Sequence, residues 1–204
     1  MRSDRPVALV AAFVVALTIN LSPAVTADEQ VSPAQRAARA AAAEFGGTLT
    51  RTLTSAMAQG GPVAAINVCS AKAPRIADFI AAKHGVNVSR TSRRYRNPGN
   101  APESWQQEVL EAWQASLGQG TDPATLEYFD GEAATGYRYM KPIMTQTLCL
   151  SCHGTNLDPA VSEAIRALYP NDLARGYSVG ELRGAFVVTG LPGATQSNSG
   201  ERMP

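Results

Sequence analysis

The sequence predicts an α+β fold, with helices first and strands later. Two observations predict it. Ser32 and Pro33 supply an N-cap and a first helical residue ahead of the alanine-rich run "AQRAARAAAAEFGGTLTRTLTSAMA". Much later, "GYRYMKPIM" and "ELRGAFVV" are rich in aromatic and β-branched residues and read as strands. No segment repeats.

The elements follow in chain order. The first helix is interrupted by Gly46 and Gly47, where a bend or a tight helix contact is expected. After "QGGP", Pro62 restarts a helix through "VAAINVCSA". Pro74 opens a further one, "PRIADFIAAKH", which Gly85 ends. "VNVSRT" alternates like a strand before the turn chemistry of Asn97-Pro98-Gly99. Another helix runs from about Pro102 to Gly118. A short one in "DPAVSEAIRALYP" starts at Asp158 and stops at Pro170. The segment 191–204, rich in Gly, Ser, Asn and Pro, is expected to be disordered.

The first 27 residues read as a cleaved signal peptide. Arg2 and Arg5 precede the mostly apolar Val7–Leu21, and small residues end at Ala27 before Asp28 and Glu29. That run is 15 residues long, short of the roughly 20 that span a bilayer. No later segment could cross a membrane, so a soluble, periplasmic protein is expected, with 28–190 as its folded domain. Taking Arg2, Arg5 and Asp4 from the 18 basic and 17 acidic residues leaves 16 of each. A neutral exported chain has no bulk attraction to nucleic acid.

The chemistry lies in "CLSCHG", residues 149–154. Cys149, Cys152 and His153 form Cys-x-x-Cys-His, the attachment pattern of c-type haem. Each thiol adds across one porphyrin vinyl group, and the adjacent histidine becomes the proximal iron ligand. Gly154 leaves room for the chain beside the macrocycle. This chemistry occurs outside the cytoplasm, in agreement with a signal peptide. Other readings fit less well. A thioredoxin-like pair sits in a βαβ context that is not visible here. A structural zinc site needs four ligands, and the chain offers no second close pair. A plain disulfide would leave His153 without a role.

The sixth iron position is open on these grounds. Met203 is the one methionine after the motif, in the loose tail. The upstream candidates are Met57, Cys69, His84, Met140, Met144, or no ligand at all. His84 sits at a helix end, facing the last carbonyls. The methionines read as core or haem-wall residues. Cys69 shares a helix face with Ala65, Ile66 and Ala73, and on that evidence alone a small buried hydrophobe is the favoured reading over a ligand. Arg90, Arg93, Arg94 and Arg96 could meet haem propionates or form a solvated strand face. Tyr137 and Tyr139 could border the haem or be ordinary strand aromatics.

Four blocks carry a family resemblance: "PVAAINVCSAKAP" (62–74), "SRTSRRYRNPGNAPESW" (89–105), "GYRYMKPIMTQTLCLSCHG" (136–154) and "ALYPNDLARGYSVGELRGAFVV" (167–188). In these the chain resembles the PAS-like c-type haem domains catalogued as a domain of unknown function. The resemblance implies a PAS-like antiparallel sheet with N-terminal helices, enclosing one covalently attached haem. It also implies His153 and Cys69 as the two axial ligands. Some members continue into kinase or receptor modules and this sequence does not, which argues against a direct signalling output.

The expected function is that of an exported one-haem cytochrome, exchanging single electrons with redox partner proteins. A redox or gas sensor acting through a partner is the alternative. With both axial positions filled by protein, no enzymatic activity is expected.

Overall fold

A computed structural model describes residues 31–190. The expected signal peptide and the tail after 190 lie outside the described residues.

The chain opens with α1, Pro33–His84, a helical hairpin of two arms. Ser32 caps it as expected, its hydroxyl accepting from the Gln35 N–H at 3.1 Å. Helical geometry breaks only at Gly60 and Gly61, where Gly61 has φ 68° and ψ −167°, a conformation open to glycine. Pro62 then starts the second arm. An ion pair from Glu44 to Lys83 at 2.7 Å and a hydrogen bond between Glu44 and His84 at 2.8 Å tie the start of one arm to the end of the other. The arms are therefore antiparallel.

At Gly46 and Gly47 the structure has the tight contact rather than the bend, and a second expectation, at Pro74, is corrected. The helix passes straight through Gly46 and Gly47. Gly46 serves a close contact instead: a Cβ there would lie 2.8 Å from the Phe186 ring. Pro74 does not start a new helix but sits inside the second arm. Proline costs one backbone hydrogen bond, and burial of Ile66 and Ile80 on either side holds the arm helical. Gly85 ends α1 in the left-handed region, as expected, its N–H bonded to the Ala81 carbonyl.

The rest follows as β1 (Val86–Thr91), α2 (Ser104–Gly118), β2 (Tyr128–Glu132), β3 (Gly136–Met144), α3 (Leu150–His153), α4 (Pro159–Leu168) and β4 (Leu182–Gly190). The sheet has the order β1-β4-β3-β2, with every pair antiparallel. Strand β2 has no counterpart in the sequence reading: "YFDGE" is short and exposed at the sheet edge, so no alternation of apolar residues marks it. It is paired by a hairpin whose glycines 131 and 136 have φ 96° and 94°.

Alternation along the strands divides the core in two. Val86, Val88, Tyr137, Tyr139 and Val188 face α1, meeting Ala38, Ala41, Ala42, Phe45 and Ile80. Met140, Ala185 and Val187 face α2, meeting Val109, Leu110 and Trp113. A third cluster joins Ile66 of the second arm to Val161 and Ile165 of α4, with Cys152 against it. The α+β architecture with N-terminal helices over an antiparallel sheet is as expected. Among the described residues, no helix is long and apolar enough to cross a membrane.

Candidate functional site

Strand β3 runs into the cysteine motif. Thr145 holds the junction, its N–H bonded to Glu181 O at 2.8 Å and its carbonyl taking the Gly180 N–H at 2.9 Å. A single 3-10 turn, Thr147–Cys149, leads directly into α3. Cys149 and Cys152 therefore sit about one turn apart, with His153 next. Gly154 is needed for close packing within the motif itself: a Cβ there would lie 2.7 Å from the Leu150 carbonyl oxygen.

The segment Asp172–Tyr177 lies along this turn as a strap. Tyr177 N–H bonds His153 O at 2.9 Å, and Gly176 N–H bonds Gly154 O at 3.0 Å. Nδ1 of His153 lies 2.8 Å from Ala174 O. A carbonyl oxygen only accepts, so Nδ1 carries the proton and Nε2 keeps its lone pair. Burial, helped by the charges of Arg183 and Arg96, pushes the imidazole pKa down to about 3. Neutral imidazole with a free Nε2 is the form that binds a metal. Tyr177 packs edge-on to the ring, with centroids 6.2 Å apart. The guanidiniums of Arg94 and Arg183 lie 3.6 and 5.1 Å from the centre of the Tyr177 ring.

All three cysteines are free and partly buried. Cys69, on the second arm of α1, comes to the motif from the opposite end of the sequence. Ile66, one turn before it, shares a cluster with Cys152, and the charge states of Cys69 and Cys149 both act on the Cys152 thiol. Burial pushes the thiols of Cys152 and Cys69 up, while Arg96 pulls the first down and Arg90 the second. The structure thus gathers Cys69, Cys149, Cys152 and His153 into one neighbourhood.

The remaining candidates go elsewhere. His84 is held by Glu44 at the end of α1. Met140 is fully buried against α2. Met57 lies near the end of the first arm and Met144 at the end of β3, both partly buried. Tyr137 and Tyr139 belong to the core under α1, and burial raises the pKa of both. The four arginines separate clearly. Arg93 pairs with Glu111 at 3.7 Å and Arg94 with Glu181 at 3.1 Å. Arg96 is fixed between Asp172 at 3.1 Å and Cys152 O at 2.5 Å. Arg90, next to Cys69, has no carboxylate partner among the described residues.

Sequence reasoning missed Arg183. It donates to Ser92 Oγ at 3.0 Å and to Arg94 O at 3.2 Å, also without a carboxylate partner, and it acts on His153. A lone cation in an otherwise apolar strand was its one signal. Thr145 Oγ1 is buried with no partner. Two thiols, a neutral imidazole, a third thiol and two guanidiniums lacking acids fit a haem with its two carboxylates. A cleft of about 670 Å³ lies between α1 and Lys141 and contains none of these groups. Its Arg39 and Glu127 pair with each other at 2.6 Å, so it is not assigned to the haem.

Comparisons with known proteins bear on the fold and the family. A search of curated proteins found no match. Among solved structures, the chain is similar to the cyanobacterial heme-protein Tll0287, with a TM-score of 0.58 and 24% identity over 78% of this chain and 94% of that one. At that identity the likeness shows a shared fold. The Tll0287-like family profile matches residues 12–190. With most of its length matched, the chain belongs to the Tll0287-like family.

Proposed function

We propose that the protein is an exported one-haem cytochrome, holding haem c through Cys149 and Cys152, with His153 and Cys69 as axial ligands. The observation that carries this reading is His153: a neutral imidazole, Nδ1 engaged by Ala174 O, one residue after a half-buried thiol. When bound, haem supplies an iron that takes up and returns one electron. Cys149 and Cys152 fix the porphyrin edge. Cys69 gives up its proton to serve as a thiolate, a charge that the nearby Arg90 favours. A thiolate stabilises ferric iron and lowers the potential. With both faces filled by protein groups, substrate has no access to the metal and the role is electron transfer rather than enzymatic. Export rests on the signal-like residues 1–27.

A second reading is favoured by one observation. Burial is the larger influence on the Cys69 thiol and raises its pKa, so a less positive ferrous site would favour the protonated, dissociated thiol. Release of Cys69 on reduction would make the protein a redox or gas sensor acting through a partner. Electron paramagnetic resonance of the ferric protein tests the ligand set: a low-spin thiolate signal is expected and should vanish in Cys69→Ala. An unchanged spectrum would overturn the assignment. Carbon monoxide separates the roles, since a carrier keeps its sixth ligand and a sensor exchanges it.

A further inference from the structure

Asp172 is among the most buried carboxylates described, its side chain 1% exposed, and it belongs to none of the groups that would touch haem. Burial alone would raise its pKa, yet hydrogen bonds and charge from Arg175 and Arg96, with the Ala174 N–H, outweigh that and hold it low. A buried carboxylate with every oxygen engaged is an organised object rather than an accident of packing. Its oxygens divide their partners. Oδ1 accepts from Ala174 N at 3.0 Å and from Arg96 Nε at 3.1 Å, and Oδ2 accepts from Arg175 Nε at 2.8 Å.

Two of the three partners lead to the cysteine motif. Ala174 is the residue whose carbonyl takes the Nδ1 proton of His153 at 2.8 Å. Arg96 reaches over the same strap to Cys152 O at 2.5 Å and Ala174 O at 3.3 Å. One carboxylate therefore fixes the peptide that orients His153 and the guanidinium that pins the backbone of Cys152. The strap is anchored on its outer side as well, through Leu173 N to Tyr95 O at 2.9 Å and Arg94 to Arg175 O at 3.0 Å.

We propose that Asp172 is the positioning residue of the proximal ligand, setting the orientation and tautomer of His153 through Ala174 and Arg96. The proposal rests on the haem reading above. Partners of this kind, one bond beyond a metal-ligating histidine, fix its ring and increase its donor strength. A firm Nδ1–H···O bond makes the imidazole a better donor and favours ferric iron. Loosening it shifts the potential upwards.

The test uses the full haem-bearing protein. In the diamagnetic low-spin ferrous state, the His153 ring N–H is followed by proton NMR as it exchanges with solvent. Asp172→Ala should speed that exchange at least tenfold and raise the reduction potential, with the haem still covalently attached. Asp172→Asn keeps an oxygen for the Ala174 N–H and should stay within about threefold of the parent. Val109→Ala, in the cluster under α2 that contains no residue of the motif or the strap, should leave the exchange rate unchanged. If Asp172→Ala does not accumulate, Arg96→Gln cuts the same linkage from its other end and should also accelerate exchange. Unchanged exchange in Asp172→Ala, or equal acceleration in Val109→Ala, would overturn the assignment. A parent protein carrying no covalent haem would instead overturn the haem reading itself.

Discussion

Gly46 and Gly47 are neighbours on one helix, yet alanine at the two should act in opposite directions. In a helix interior, glycine to alanine gains about 1 kcal/mol from backbone entropy. At Gly47, the new Cβ would meet only the Arg51 Nη1 atom at 3.3 Å, the movable end of a long side chain. The gain should survive, giving up to about 1 kcal/mol of added stability. At Gly46, the Cβ would lie 2.8 and 2.9 Å from two ring atoms of Phe186. That ring cannot turn away freely, because Phe45, 2% exposed, packs edge-on to it at 5.8 Å. Overpacking of this kind costs about 1–3 kcal/mol against the gain of about 1 kcal/mol, so Gly46→Ala has a net loss of up to about 2 kcal/mol. For a domain of this size, that lowers the thermal midpoint by up to roughly 8 °C. Thermal and denaturant unfolding of the two variants measures the contrast. A Phe186→Leu background provides the decisive arm: with the ring removed, Gly46→Ala should become stabilising, a coupling of about 1–3 kcal/mol. Shifts of the same sign at Gly46 and Gly47, or no coupling to Phe186, would refute the account of how α1 docks on β4.

The other predictions concern the site. In a haem-free Cys149→Ala/Cys152→Ala chain, His153 has a folded pKa of about 3 against an ordinary 6.5. The unfolded state binds more protons between those values, so stability is full above pH ~6.5 and falls on acidification towards pH ~3. At ~1.36 kcal/mol per unit the loss is about 4–5 kcal/mol, and adding His153→Gln should flatten the profile in denaturant titrations. Replacing either Cys149 or Cys152 alone should leave one thioether, shifting the pyridine haemochrome band, while replacing both should make the haem extractable by acidified acetone. Ile66→Ala, in the cluster between the second arm of α1 and α4, should cost about 2–4 kcal/mol. It should also broaden the ferric resonance signal, because that cluster holds the helix turn carrying Cys69.

Much of this architecture is written in local chemistry. The Ser32 cap, the Gly60-Gly61-Pro62 break and the Gly85 stop each act within a few residues, so the boundaries of α1 were legible. Strands β3 and β4 were legible from their aromatic and β-branched composition. Pro74 misled because its local cost is real but smaller than the burial of Ile66 and Ile80 around it. Strand β2 was hidden because an exposed edge strand needs no apolar face.

The site divides in the same way. By itself the sequence determined the cluster on which the proposed attachment rests: Cys149, Cys152 and His153 lie within five residues, and a backbone turn alone brings them together. Only the tertiary structure decided which distant groups join them. Cys69, Arg96, Asp172, Ala174 and Arg183 come from the second arm of α1, the segment after β1, the strap and the start of β4. Sheet pairing and helix docking join them, and both depend on burial summed over the whole core. Contacts of that kind leave no periodicity or spacing in any short stretch of the chain.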